Sequence, residues 1–354
     1  MHPSCERKIS CTFDNKYCIL DSLTHIVLGA CIGEAIAGKQ LGKKAMLLGA
    51  VAQSIPDIDA IGSIWLNEVD DIVAHRSLTH SIVFAVVVSC LLAWIAGKMF
   101  HRHNAAKRTY VLLFSVNIFV HVFIDTFNAY GTELFYPFND TRFSFNLVFV
   151  ADPLFSIGPL IAFVWLLLAK SKYVHRKKIA VCAIALTTIY ITYAFTNKMK
   201  VEQVVANTLN RQHIVSEGHF TTPTILNSLL WYVVVKQEDG YKVGYRSVFD
   251  KTGEIVFNDV ERNDSLLNNV TDKNDALKLI RFSSGYYTVE KWSDTLVLNV
   301  LRFGQIGWQD PAAKFAFHYL LNKPEGNQLV IQRGRFKHMN RERVSSFIRR
   351  VKGI

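Results

Sequence analysis

His121 and Asp125 stand four residues apart in an otherwise apolar run, a spacing that stacks an imidazole and a carboxylate on one helix face within reach of a single ion. A charged aspartate at the centre of a membrane helix costs about 2.5–3.5 kcal/mol unless it is paired. The alternative to ligation is a hydrogen-bonded pair fastening two helices. Four further groups of ligand-type side chains share its setting at the ends of apolar segments: Thr24-His25, Pro56-Asp57-Ile58-Asp59, the run from His75 through Arg76, Ser77 and Thr79 to His80, and Asp152-Pro153. Two carboxylates one residue apart, Asp57 and Asp59, repel unless a cation or a basic side chain lies between them. Taken singly, each group has a plainer explanation: capping by Asp152, acidic capping by Asp57 and Asp59, interfacial imidazoles at His25, His75 and His80. Their convergence at one boundary is what favours a common divalent-cation site.

The elements that must bring them together are membrane helices. Residues 81–99 carry no charge before Lys98, the length and polarity of a helix crossing a bilayer. Residues 153–169 and 179–195 are uncharged and end at basic clusters, and 110–127 is apolar until His121. Residues 23–38 and 44–56 are shorter and rich in glycine and alanine, which suits close packing between helices. About six spans are therefore expected. Lys39, Lys43, Lys44, Lys98, Arg102, Lys107, Arg108, Lys170, Lys172, Arg176, Lys177 and Lys178 fall in loops on one side, against Arg76 and Arg142 on the other. Short basic loops stay in the cytoplasm, so the ligand groups and everything after the sixth span are expected to face outward from a plasma (inner) membrane.

This distribution accounts for much of the net charge of +11 and the pI near 9.3, so no nucleic-acid partner is expected. His101, His103 and His175 lie in the basic loops without carboxylates and have no ligand-like context. Glu34 is expected to pair with Lys39 or a neighbouring helix. Ser22 and Ser77 are candidate caps for the first and third spans. Three of the six cysteines, Cys5, Cys11 and Cys18, precede the bundle, Cys31, Cys90 and Cys182 lie in spans, and none falls beyond residue 198, so no disulfide framework is expected.

Residues 1–20 lack the apolar stretch and cleavage site of a signal peptide and are read as a tail, or as a gene-model extension if the natural start is near Leu20 or Asp21. Residues 21–197 form the transmembrane metal-site domain. From 198 to 354 the texture changes to short alternating segments, 231–236, 241–249, 253–257, 286–292 and 295–304, with turn residues between them and a helix near 273–282. The fold class is thus an α-helical multi-pass bundle followed by an extracytoplasmic α+β domain with an antiparallel sheet. The closing stretch 336–354 is basic and amphipathic, either a solvated helix face or a contact for anionic headgroups.

The order Asp21-Ser22-Leu23-Thr24-His25, Pro56-Asp57-Ile58-Asp59, His75-Arg76-Ser77-Leu78-Thr79-His80-Ser81, His121 with Asp125, Asn128-Ala129-Tyr130-Gly131 and Ala151-Asp152-Pro153 resembles membrane-bound metal-dependent hydrolases of the YdjM type over roughly residues 21–232. The resemblance implies an integral inner-membrane protein whose motif positions correspond to His25, Asp57, Asp59, His75, His80, His121 and Asp125. The chemistry expected is metal-assisted hydrolysis, with one or two divalent ions held by His25, Asp57, His80, His121 and Asp125. Asp59 or His75 would be general base or supporting partner, and Arg76 would steady an anionic substrate oxygen. Zinc is the first choice because imidazole is prominent, with manganese or magnesium behind it. A site at headgroup level suits a phospholipid or lipid-linked phosphoester. Other classes remain: a haem protein using His25 and His121 as axial ligands, an ion pathway through Asp125 and Glu34, or a non-catalytic membrane protein. The oligomeric state is not legible.

Overall fold

The structure, a computed structural model, describes residues 15–100, 105–171, 173–306, 313–322 and 341–354. His101, Arg102, His103 and Lys172 of the basic loops, Cys5 and Cys11, and residues 336–340 of the closing basic stretch lie outside the described residues.

The first part is helical: α1 (Asn15–Leu41), α2 (Lys43–Ser54), a short α3 (Glu68–Ala74), α4 (Ile82–Met99), α5 (Lys107–Asp125), α6 (Pro153–Leu168) and α7 (Arg176–Arg211). Among the described residues, α4, α5 and α7 are long and apolar enough to cross a membrane, and α6 is a shorter apolar helix. α1 begins upstream of Asp21, so Ser22 lies inside the helix and does not cap it. α1 and α2 are bound by backbone proximity: a Cβ on Gly33 would collide with the carbonyl oxygen of Ala45, and one on Gly49 with that of Gly29. At the end of the bundle away from His121, Glu34 accepts two hydrogen bonds from the Arg176 guanidinium, both at 2.8 Å, joining α1 to α7. Its partner is therefore the neighbouring helix and not Lys39.

α7 does not stop where the apolar run ends. It continues to Arg211, and Val201 and Val205 on this extension pack against Trp231, Val233, Val235 and Ile255. The strands β1 (Gly218–Pro223), β2 (Leu230–Lys236), β3 (Gly240–Ser247) and β4 (Phe257–Glu261) form an antiparallel meander. A second antiparallel sheet holds β5 (Tyr287–Trp292), β6 (Thr295–Ile306) and β7 (Lys314–Leu320), preceded by α8 (Lys273–Phe282). The expected single sheet is thus two. The segment 253–257 belongs to the turn before β4, since Ile255 is drawn into the α7 core and β4 begins only at Phe257. A final helix, α9 (Arg341–Val351), is held by Arg350 on Asp250 at 2.5 and 2.8 Å.

The second sheet is not independent of the bundle. Val69, Ile72 and Val73 of α3, together with Ala129 and Tyr130 after α5, lie in one apolar cluster with Leu279, Phe282, Val289, Leu298, Phe303 and Phe317. Lys278 of α8 adds a 2.6 Å contact to Asp70 of α3. The α8–sheet unit is thereby seated directly on the segment that leads into His75.

Candidate metal centre

Four elements deliver the site. α5 carries His121 and Asp125 one turn apart at its last turn. The 3-10 segment Pro56–Ile64, which follows α2, carries Asp57 and Asp59, and the 3-10 turn Leu78–His80 carries His80. α1 presents Asp21 and His25, again one turn apart. His25, His80, His121 and Asp125 are fully or almost fully buried. The α4 helix is capped by Ser81, which accepts from the Phe84 amide at 3.1 Å. Ser77, the cap expected from sequence, instead donates its hydroxyl to Glu133 at 2.5 Å, because the chain first makes the 3-10 turn that aims His80 inward. Asp152 does cap α6, accepting from the Leu154 amide at 2.9 Å.

The key geometry is a cluster of ligand atoms: Asp57, His80, His121 and Asp125 each offer one atom within 4.8 Å of all the others. His80 Nε2 is 3.2 Å from His121 Nε2, 3.7 Å from Asp57 Oδ1 and 3.1 Å from Asp125 Oδ2. His121 Nε2 is 3.4 Å from both Asp57 Oδ1 and Asp125 Oδ2. Ligands at 2.0–2.1 Å from a tetrahedral cation are separated by about 3.3–3.4 Å, and these five distances bracket that value. Asp125 Oδ2 is nevertheless buried without a hydrogen bond of acceptable geometry. Polar atoms this close, delivered by three separate segments to one point, are spaced as the ligands of a coordination shell are. The residues therefore fit a divalent cation.

Outside the shell, Asp59 organises the loop. It accepts from the Arg76 amide at 2.8 Å and the Thr79 hydroxyl at 2.9 Å, and contacts His75 Nδ1 at 3.1 Å and His80 Nδ1 at 3.4 Å. Contacts on Nδ1 direct the Nε2 of His80 at the cluster. Arg76, between the two histidines, adopts φ 62, a conformation unfavourable for a side chain of its size, and is pinned on both faces: its amide by Asp59, its carbonyl by the Glu133 amide at 3.1 Å. The Arg76 guanidinium is buried, bonded to Asp21 Oδ2 at 2.7 Å and Asn128 Oδ1 at 2.9 Å, with Asp125 Oδ2 at 3.4 Å and the Tyr130 ring beneath it. It is thus tied to Asp21 and Asn128 beside the Asp125 carboxylate. His75 and Asp57 keep one side open, with side-chain exposures of 33% and 23%.

Burial would raise the Asp57 carboxyl, but hydrogen bonds from His121 and His80 hold it well below the usual carboxylate range, and His75 and His80 do the same for Asp59. Burial opposes a proton on His80, yet its bonds to Asp125, Asp57 and Asp59 push it up to about 10. In the absence of a cation His80 is thus protonated at neutral pH. Cation uptake must displace that proton, so binding should tighten as pH rises, with proton release measurable by calorimetry in buffers of different ionisation enthalpy.

A bis-imidazole haem site is excluded by placement: the His25 and His121 rings lie 3.9 Å apart, centroid to centroid, with no layer between them for a macrocycle. The Glu34 route also fails to meet Asp125, since Glu34 is locked to Arg176. Asp21 is the contributor that sequence reasoning missed. Its signal was the i, i+4 spacing to His25, the same spacing that marked His121 and Asp125.

The chain resembles two curated proteins in part. It is 28% identical over 151 residues to the "Uncharacterized protein YfhP" of Bacillus subtilis (strain 168), covering 40% of this chain and 45% of that protein. It is 28% identical over 123 residues to the "Inner membrane protein YbcI" of Escherichia coli (strain K12), covering 34% of this chain and 69% of the relative. The chain thus spans less than half the length of YfhP. No solved structure matches. Residues 20–201, which hold the complete cluster, match the family described as YdjM inner membrane protein, and the chain belongs to that family.

Proposed function

We propose that this protein is a membrane-embedded metal-dependent hydrolase acting on a phospholipid or lipid-linked phosphoester at the outer face of the inner membrane, with α1, α2 and α6 crossing the bilayer beside α4, α5 and α7. The observation that carries the reading is the convergence of Asp57, His80, His121 and Asp125 at coordination spacing. A divalent cation held by these four, zinc before manganese or magnesium, supplies Lewis-acid polarisation of the scissile bond and a more acidic water. The protein's own part is to bury His80, His121 and Asp125 while leaving Asp57 and His75 partly exposed. His75, one-third exposed and oriented by Asp59, is placed to take or return a proton. Arg76 stiffens the carboxylate array; direct contact with substrate would require it to leave Asp21 and Asn128.

A lipidic substrate is supported by the rim. The segment bearing Asp57 and Asp59 exposes Ile58, Ile61, Ile64 and the adjoining Trp65, and Leu78 is exposed beside His80. An apolar border with a tryptophan suits contact with acyl chains at headgroup level, whereas a site for a soluble ester has no need of it. The basic-loop asymmetry supports placement of this rim, and of the sheets that follow, on the outer side.

The test is hydrolysis of a lipid phosphoester in mixed micelles by the detergent-purified, zinc-loaded full chain, compared with a water-soluble phosphoester. The expected result is preference for the lipid, loss on chelation, recovery with zinc, and at least a hundredfold lower rate in His121→Ala. Wild-type protein without stoichiometric metal, or equal metal in wild type and His121→Ala, would overturn the proposal.

A further inference from the structure

The set just described uses only one oxygen of Asp125. The other, Oδ1, lies 3.2 Å from His25 Nε2, with Asp21 Oδ1 3.8 Å from the same nitrogen. The ligand atoms of Asp21, His25 and Asp125 fall within 4.8 Å of one another. His25 Nδ1 lies 3.3 Å from Gln53 Oε1. At 3.2 Å from Asp125 Oδ1, His25 Nε2 is placed to donate a proton to the carboxylate when no cation is bound and to offer its lone pair to a cation that takes that proton's place. Gln53 is fully buried and its amide nitrogen has no hydrogen-bond partner, so the amide leaves one of its own groups unsatisfied while it fixes the imidazole.

We propose that Asp21, His25 and Asp125 hold a second divalent cation, with the Asp125 carboxylate bridging a two-ion centre. This rests on the reading of the first set as a cation site. Arg76 leaves the arrangement intact, because it takes Asp21 Oδ2 at 2.7 Å and frees Oδ1. Charge balance points the same way. Four carboxylates, Asp21, Asp57, Asp59 and Asp125, surround the single guanidinium of Arg76. An excess of carboxylates repels a phosphoester anion, and each further cation held among them reduces that repulsion. Two cations sharing a carboxylate also suit phosphoester cleavage, in which attacking and leaving oxygens both carry charge.

The experiment is metal counting on the full chain purified in detergent without chelator, together with electron paramagnetic resonance after loading with manganese. The expected result is two ions per chain and an exchange-coupled manganese spectrum, with Asp21→Asn and His25→Gln each retaining one uncoupled ion. The wild-type count and spectrum stand even if a variant fails to fold. One ion per chain in wild type, with an uncoupled spectrum, would mean that His25 and Asp125 form only a hydrogen-bonded pair; the second site would be wrong and the first would stand. No ion at all would remove both.

Discussion

Alanine at Asp125 is expected to strip the protein of bound cation and to cost about 3–5 kcal/mol of stability, the range for removing one member of a buried charge pair. Asp125 is fully buried, and its carboxylate faces His25, His80, His121 and Arg76 at 3.1–3.4 Å. Removing it leaves the Arg76 guanidinium with Asp21 alone to balance it in a dry interior. Asp125→Asn keeps the shape and isolates the charge: metal content should fall as far, while the melting temperature should fall less. Elemental analysis and thermal unfolding in one detergent measure both. A variant that keeps its metal would show that the coordination spacing is accidental.

The second large effect lies at the opposite end of the bundle. Glu34→Gln or Arg176→Met should also destabilise by about 3–5 kcal/mol, because each strands a buried charge. Both side chains are only 3% exposed. The double replacement Glu34→Leu with Arg176→Met should recover most of that loss, since the desolvation cost disappears with both charges. Metal content should stay at the wild-type level in all three, in contrast to the Asp125 variants. A double variant no more stable than the single ones would show that Arg176 acts chiefly through its bonds to the Leu166 and Ala169 carbonyls, at 2.7 and 3.2 Å, and not through the ion pair.

Much of this was readable from local pattern. The interval from His121 to Asp125 is a helical turn, and the structure buries both on one face. The polar and apolar alternation at 231–236, 286–292 and 295–304 became β2, β5 and β6 nearly to the residue, and the helix expected near 273–282 became α8. What local pattern did not carry depends on contacts distant in sequence. Asp21 reads as the residue before a helix until α1 is seen to extend past it. Ser77, the candidate cap, is lost to α4 because Glu133, 56 positions away, claims its hydroxyl, and Ser81 caps the helix instead. Arg76 reads as a free cation in a loop with few basic residues, yet Asp21, Asn128 and Asp125 meet it from three other segments. β7 and the division into two sheets rest on strand pairing, which alternation alone does not specify.

Tyr130 joins these distant parts. Its ring lies under Arg76 at 5.4 Å and against Phe303 of β6 at 4.6 Å, while α3, just ahead of His75, shares an apolar core with α8. If the cluster holds a cation as proposed, its occupancy and the folding of a sheet that supplies no ligand are thermodynamically linked. Stability gained by cation binding at His80 would then be shared by β5, β6 and β7, more than two hundred positions later in the chain, and proteolytic resistance there would be a remote gauge of ion occupancy.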